Sequence, residues 1–263
     1  MTGPVSSTAA FDAAAAGYDA TFTDTLLGRC YRAAVDRSLR WAFVPGQRVL
    51  ELNCGTGVDA VALAGRGVEV LATDASPAMV DLTHLKARAA GVGERVTARV
   101  MAIEDLGDRS AELGRFDGVL SNFGGLNCVA DLAPVAADLA GLVRPQGRAV
   151  LCVMGPLVPW EWAWFMARGR PGTAVRRLRR DVSWRGMPLR YPSVGAASHA
   201  FAPWFEVHAR RAVGILLPPP YAESLAARHP RVVGALDRVE RRFEAVPGAP
   251  WFADHYVLEL VRR

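Results

Sequence analysis

The chain has 263 residues, of which 51% are hydrophobic and 22% charged; this is a globular composition and excludes collagen-like and disordered classes. The formal net charge of +5 is uneven: residues 1–150 carry 14 basic against 17 acidic side chains, and residues 151–263 carry 17 against 9. There is no uncharged apolar run of the roughly 18 residues that a membrane span needs. The first sixteen residues lack the basic flank of a secretory signal, and Cys30, Cys54, Cys128 and Cys152 form no CxxC pair. A cytoplasmic chain with reduced thiols is the expectation.

Residues 11–43 read as helical, with Phe11, Tyr18, Phe22, Leu26, Leu27 and Tyr31 spaced along the run. Strands and helices then alternate. Arg48–Asn53 is a short apolar strand, followed by a glycine loop and a helix to Ala64. Val68–Thr73 is the second strand and ends at Asp74. Ser76 and Pro77 are the N-cap and first-turn residues of a helix running to Ala90. Arg95–Met101, Phe116–Ser121 and Arg148–Val153 are strands three to five, with a helix over about 129–143 before the last. This rhythm predicts a doubly wound, mostly parallel sheet.

After Gly155 the rhythm breaks. Residues 160–180 read as one or two helices, and Val182–Arg185 and Pro188–Tyr191 as a small hairpin around Gly186. Phe205–Leu217 reads as a sixth strand, Arg231–Ala245 as a helix and His255–Val261 as a closing strand. The expected organisation is one domain over 1–263, with a helical cap at 1–43 and a lid inserted at 156–200.

The most informative segment is Glu51-Leu52-Asn53-Cys54-Gly55-Thr56-Gly57, a strand entering a tight glycine turn ahead of a helix. Such a turn lets a ligand approach the backbone and the free N–H groups of the helix start. Gly55-Thr56-Gly57-Val58-Asp59-Ala60 also satisfies the GxGxxA form of a dinucleotide fingerprint, with Asp74 placed for a ribose. Glu51 argues the other way, because a carboxylate beneath the turn opposes a pyrophosphate and suits a ligand carrying a positive amine.

The phrase ELNCGTG resembles motif I of the class I S-adenosylmethionine-dependent methyltransferases, with Asn53 in place of the first glycine; asparagine tolerates left-handed backbone angles. The resemblance extends further. Phe11-Asp12 and Tyr18-Asp19 are similar to the F-D-x-x-A-x-x-Y-D opening of small-molecule members. Ala102-Ile103-Glu104-Asp105-Leu106 is similar to the segment beside the adenine. Phe116–Phe123 resembles motif IV, and Arg144-Pro145-Gln146-Gly147 the turn before strand five. The similarity covers roughly residues 11–154 and 201–263. It implies a seven-stranded, mostly parallel Rossmann-like sheet with an antiparallel last strand, S-adenosyl-L-methionine as cofactor, and methyl transfer to the O, N or C of a small-molecule acceptor.

On that resemblance, Glu51 holds the methionyl ammonium, Asp74 the ribose hydroxyls, and Ile103 or Glu104 the adenine. Asn53, Gly55, Gly57, Ala75 and Met79 line the cofactor. Tyr18 covers the sulfonium or the acceptor, Asn122 meets the methionyl part or the acceptor, and Arg29 or Arg32 pairs the methionyl carboxylate. Core packing for Tyr18 and solvated helix charges for the arginines are the alternatives. Cys54 sits at a helix start, which lowers a thiol pKa, but no base is visible beside it. The candidates for acceptor contact are Asn122, Phe123, Trp160, Glu161, Trp164 and Tyr191, and those for proton removal are Tyr18, Tyr191 and His199. The five histidines show no metal-ligand spacing, so no metal is expected.

Pro159–Met166 holds three tryptophans in five residues, and six arginines follow at 168, 170, 176, 177, 179 and 180. A packed helix, an apolar acceptor pocket and a membrane-surface helix all remain open for it. The acceptor is expected to be hydrophobic or anionic. No recognised nucleic-acid module or base-methylating motif is present, so nucleic acid is not an expected partner. Two further readings stay open: a non-methylating, cyclase-like member of the same fold, and a nicotinamide dehydrogenase.

Overall fold

A computed structural model describes residues 7–179, 182–184 and 186–263. Arg180 of the arginine run and Arg185 of the expected hairpin lie outside the described residues. The N-terminal segment is broken where the sequence reads as one helical stretch. Helix α1 is Ser7–Ala15, a single π-turn covers Asp19–Thr23, and α2 is Leu26–Ala42. Thr25 imposes the second break, its hydroxyl accepting the Gly28 N–H at 3.0 Å as an N-cap. Gly28 is required there: a Cβ would lie 1.7 Å from the Phe22 carbonyl oxygen.

The alternating part follows the expected order: β1 Arg48–Leu52, α3 Val58–Gly65, β2 Glu69–Asp74, α4 Pro77–Ala89, β3 Val96–Val100, α5 Ser110–Leu113, β4 Phe116–Ser121, α6 Leu132–Leu142 and β5 Val143–Met154. Strand β5 begins five residues earlier than expected. The Arg144–Gly147 turn is drawn into the strand through a register shift against β4, with Gln146 in the left-handed region at φ 65°. Helix α4 is capped as expected, the Ser76 hydroxyl accepting from the Met79 N–H at 3.2 Å.

Beyond β5 come α7 Pro159–Met166, α8 Pro171–Ala174, β6 Val182–Trp184, β7 Met187–Leu189, α9 Val194–Phe201, β8 Phe205–Val213, α10 Glu223–Ala226, α11 Pro230–Phe243 and β9 His255–Arg262. Strands β6 and β7 form the small antiparallel hairpin. The other seven make one sheet in the order β3-β2-β1-β4-β5-β9-β8. Strand β9 pairs antiparallel with both β5 and β8 and is alone in that direction.

Apolar clusters cover both faces of the sheet. Leu27, Val35, Leu39, Ala60 and Leu63 lie on one side, and Phe116, Leu139, Phe201 and Leu258 on the other. Glu240 of α11 is buried, and its carboxylate accepts the N–H groups of Gly214, Leu216 and Leu217 at 2.5, 3.0 and 2.8 Å, fixing the loop after β8. All four cysteines are free thiols. Among the described residues no helix is long and apolar enough to cross a membrane.

Candidate functional site

The parallel strands end along one edge, and there β1 passes into its glycine turn. Asn53 takes the left-handed backbone, φ 48°. Its amide ties strand ends together, donating to the Asn122 carbonyl at 2.8 Å and accepting from the Ser121 hydroxyl at 2.7 Å. Gly125 makes room for it, since a Cβ there would sit 1.9 Å from the Asn53 side chain. Gly57, at φ 78°, packs on Thr83, which would lie within 2.8 Å of an added Cβ. Gly55, at φ 54°, lines a cavity and has no heavy atom within 4 Å of the position a Cβ would take, so any side chain there would project into free space.

That cavity has a volume of about 420 Å³. Asp74 lines it at the end of β2. Its two carboxylate oxygens accept the Gly55 and Ser76 N–H groups, each at 2.9 Å, and burial raises its pKa against those bonds. Glu51 lies behind the turn and does not line the cavity. Its Oε2 is buried with no hydrogen-bond partner among the described residues, and burial, reinforced by Asp59, pushes the carboxyl well above its ordinary range. Asn122 accepts its neighbour's N–H and donates to Asp59 Oδ2 at 2.9 Å. Arg32 pairs with the same Asp59 at 3.1 Å.

The N-terminal segment roofs this end. Asp12 accepts from the Ser76 hydroxyl at 2.5 Å, docking α1 onto the start of α4. Asp19 accepts from the Thr56 hydroxyl at 2.8 Å and pairs with Lys86, the one lysine of the chain, linking the π-turn to the glycine loop. Tyr18 and Phe22 close over the cavity, and Phe22 meets Phe123 edge-on at 5.0 Å.

Of the residues expected at the site, Tyr18, Asn53, Gly55, Asp74, Ala75, Met79, Ile103, Glu104, Asn122, Phe123 and Tyr191 line this one cavity. Others stand apart. Arg29 is exposed and donates to the Asp24 carbonyl, because the break at Thr25 turns it outward while Arg32 faces in. His199 is exposed on α9, away from the cavity. Trp160 spends its indole N–H on the Leu216 carbonyl at 2.8 Å, and Trp164 packs on Tyr221 and Arg168. Glu161 is buried and paired with Arg176 and Arg177 at 2.7 and 2.6 Å, so the two arginines reach the cavity wall in its place. The expected lowering of the Cys54 thiol pKa is reversed: the group is buried, which pushes it well up.

The sequence reading did not single out the far wall, where Met154, Met187, Leu189, Tyr221, Asp254 and His255 line the cavity. These residues come from elements distant in sequence. The only local sign was the His255 start of the closing strand.

Known proteins resemble this chain in sequence and in fold. Residues 49–147 match the methyltransferase domain family. A demethylmenaquinone methyltransferase of Mycobacterium marinum is 34% identical over 144 residues, 54% of this chain and 56% of that protein. A ubiquinone biosynthesis O-methyltransferase of Xanthomonas axonopodis is 33% identical over 109 residues, 41% of this chain and 44% of that protein. The chain thus spans about half the length of these relatives. Among solved structures, geranyl diphosphate C-methyltransferase from Streptomyces coelicolor, in complex with S-adenosyl-L-homocysteine, superposes with a TM-score of 0.59. It is 16% identical, covering 88% of this chain and 79% of that one. Residues 49–147 thus match a methyltransferase domain, and the likeness to the solved structure is one of fold. The antiparallel β9 between β5 and β8 also distinguishes this sheet from the all-parallel dinucleotide-binding sheet.

Proposed function

We propose that this chain, whose residues 49–147 match a methyltransferase domain, transfers the methyl group of S-adenosylmethionine to a small, largely apolar acceptor. The observation that carries the reading is a single cavity joining the Gly55–Asp74 end to an apolar chamber beneath the 156–200 insertion. The residues present fit the cofactor. Gly55 leaves open the space a Cβ would fill, Asp74 offers carboxylate lone pairs to a ribose, and Glu51, behind the turn, keeps its Oε2 without a hydrogen-bond partner among the described residues, a site for positive charge.

Bound S-adenosylmethionine supplies an activated methyl on a sulfonium. The chain's task is to align the acceptor with that methyl and to exclude water. With the cofactor bound, Asp74 would hold the ribose, Glu51 would stabilise the ammonium from behind the turn or through water, and Ile103 and Glu104 would hold the adenine. Met79 and Ala75 would hold the adenosyl group, and Asn122 the methionyl end. Tyr18 and Phe22 cover the transfer point, and Phe123, Met154, Met187 and Tyr191 receive the acceptor. Incubating the protein and S-adenosylmethionine with host extract, followed by mass spectrometry, is expected to reveal a species heavier by one methylene. An intact cofactor with no such species would favour a non-methylating member of the fold.

A second reading rests on the insertion surface. Met166, Val175 and Leu178 are exposed among the exposed Arg168, Arg170 and Arg179 near the cavity mouth, an arrangement suited to an anionic bilayer delivering a lipid-soluble acceptor. Cosedimentation with phosphatidylglycerol vesicles that is lost at high salt and in Leu178→Glu would support it; no cosedimentation at low salt would dismiss it.

A further inference from the structure

Because β9 runs against its neighbours, its first residue, not its last, lies at the ligand-binding edge of the sheet. That residue is His255, which lines the cavity. Its ring sits between Phe123 and Tyr31, both edge-on, with centroids at 5.6 and 5.8 Å. Nδ1 lies 3.1 Å from Asp254 Oδ2. The other Asp254 oxygen accepts from Arg177 at 2.5 Å, and Arg177 in turn pairs with Glu161 at 2.6 Å and donates to the Gly155 and Asp254 carbonyls at 3.2 Å. Nδ1 is thereby committed, and Nε2 has no hydrogen-bond partner among the described residues. A carboxylate behind an imidazole fixes the tautomer whose free nitrogen takes up a proton, and stabilises the imidazolium that results.

The other expected bases fit this role poorly. Burial raises the pKa of the Tyr18 and Tyr191 phenols, which keeps them protonated, and His199 faces away. Burial also presses Asp254 upward, but Arg177 and His255 outweigh it and hold the carboxyl below the usual range. The chamber in front of His255 is aromatic and apolar, with Arg176 at its wall. It favours a neutral molecule that is an anion only between losing its proton and gaining the methyl over one that enters as an ammonium.

We propose that His255 is the general base of the transfer, that Asp254 is its positioning residue, and that the acceptor is an apolar molecule with a weakly acidic O–H of the phenol or enol class. This rests on the methyl-transfer reading above. The acceptor proton passes to Nε2. The electron pair left on the acceptor bonds the methyl carbon as the carbon–sulfur bond breaks, that pair departing with sulfur. The proton then leaves His255 for solvent. The charged and titratable groups facing the imidazole or its partners are Asp254, Arg177, Glu161 paired with Arg177 at 2.6 Å, Tyr191 under the Arg177 guanidinium at 5.2 Å, Tyr31 of α2, and Arg32 across the Phe123 ring at 5.1 Å.

The test uses the full chain saturated with S-adenosylhomocysteine and 4-nitrophenol as probe, at a pH where the free probe is mostly neutral. Wild-type protein is expected to bind the probe as its yellow phenolate. His255→Gln is expected to bind it as the neutral phenol, with most of the band lost, and Asp254→Asn to need a higher pH to develop the band. An unbound probe, a neutral bound probe in the wild type, or an undiminished band in His255→Gln each overturns the proposal. Calorimetric binding of S-adenosylhomocysteine in the same preparations separates this from failure of the methyl-transfer reading, which its loss in the wild type would signal.

Discussion

Glu51 and Asp74 are both buried carboxylates, but their surroundings divide their roles. Asp74 is held by two backbone N–H groups, whereas one oxygen of Glu51 has no partner. A carboxyl whose folded pKa is raised favours folding below its ordinary value of 4.5, and that contribution is lost as pH rises through the folded value. Glu51→Gln removes the unpaired charge. It is expected to raise the Tm of the ligand-free protein at neutral pH and flatten the pH dependence of stability above 4.5, while weakening cofactor binding. Calorimetric scans and titrations at several pH values check both signs. Asp74→Ala is expected to weaken cofactor binding about 10–100-fold, the worth of charge-assisted hydrogen bonds, and equilibrium dialysis measures it. Asn53, Gly55 and Asp74 were legible because a strand–turn–helix signature fixes their backbone. His255 was not, because its place depends on an antiparallel pairing that brings residue 255 beside residue 154.

At the scale of elements, the joints carry the account. Lys86 and Thr56 bind Asp19, so α4, the glycine loop and the π-turn share one polar link. Lys86→Met is expected to loosen residues 19–23 with little change in global Tm. Faster proteolysis in that segment and weaker cofactor binding are the readouts. Glu240 caps a loop, and Glu240→Ala strands three N–H groups; with about 1–3 kcal/mol for each buried donor left unsatisfied, a loss of several kcal/mol in urea unfolding is expected. The alternating strands and helices were legible from apolar runs and caps. The division of residues 11–43 was not, since it follows from a close contact between Gly28 and the Phe22 carbonyl and not from composition. For the tryptophans of α7 the sequence leaves packing and acceptor contact both open, and Trp160 packs, pinning the loop after β8.

Across the whole molecule, only part of the basic charge of the second half is paired inside the fold, while Arg168, Arg170, Arg179, Arg228, Arg231 and Arg242 stay exposed. Arg177 joins Glu161 and Asp254, and Arg211 joins Glu244 and Glu259. A count of charges could not foresee this, because neutralisation depends on which elements meet. The seven-stranded, mostly parallel sheet with an antiparallel last strand, by contrast, followed from the resemblance and is observed. Everything proposed requires the cavity at the ends of β1 and β2 to accept an adenosyl ligand. Titration calorimetry with S-adenosylhomocysteine tests this most directly. The account predicts saturable one-to-one binding that Gly55→Val abolishes and reduced nicotinamide dinucleotide does not displace; heat of dilution alone, or displacement by the dinucleotide, would contradict it.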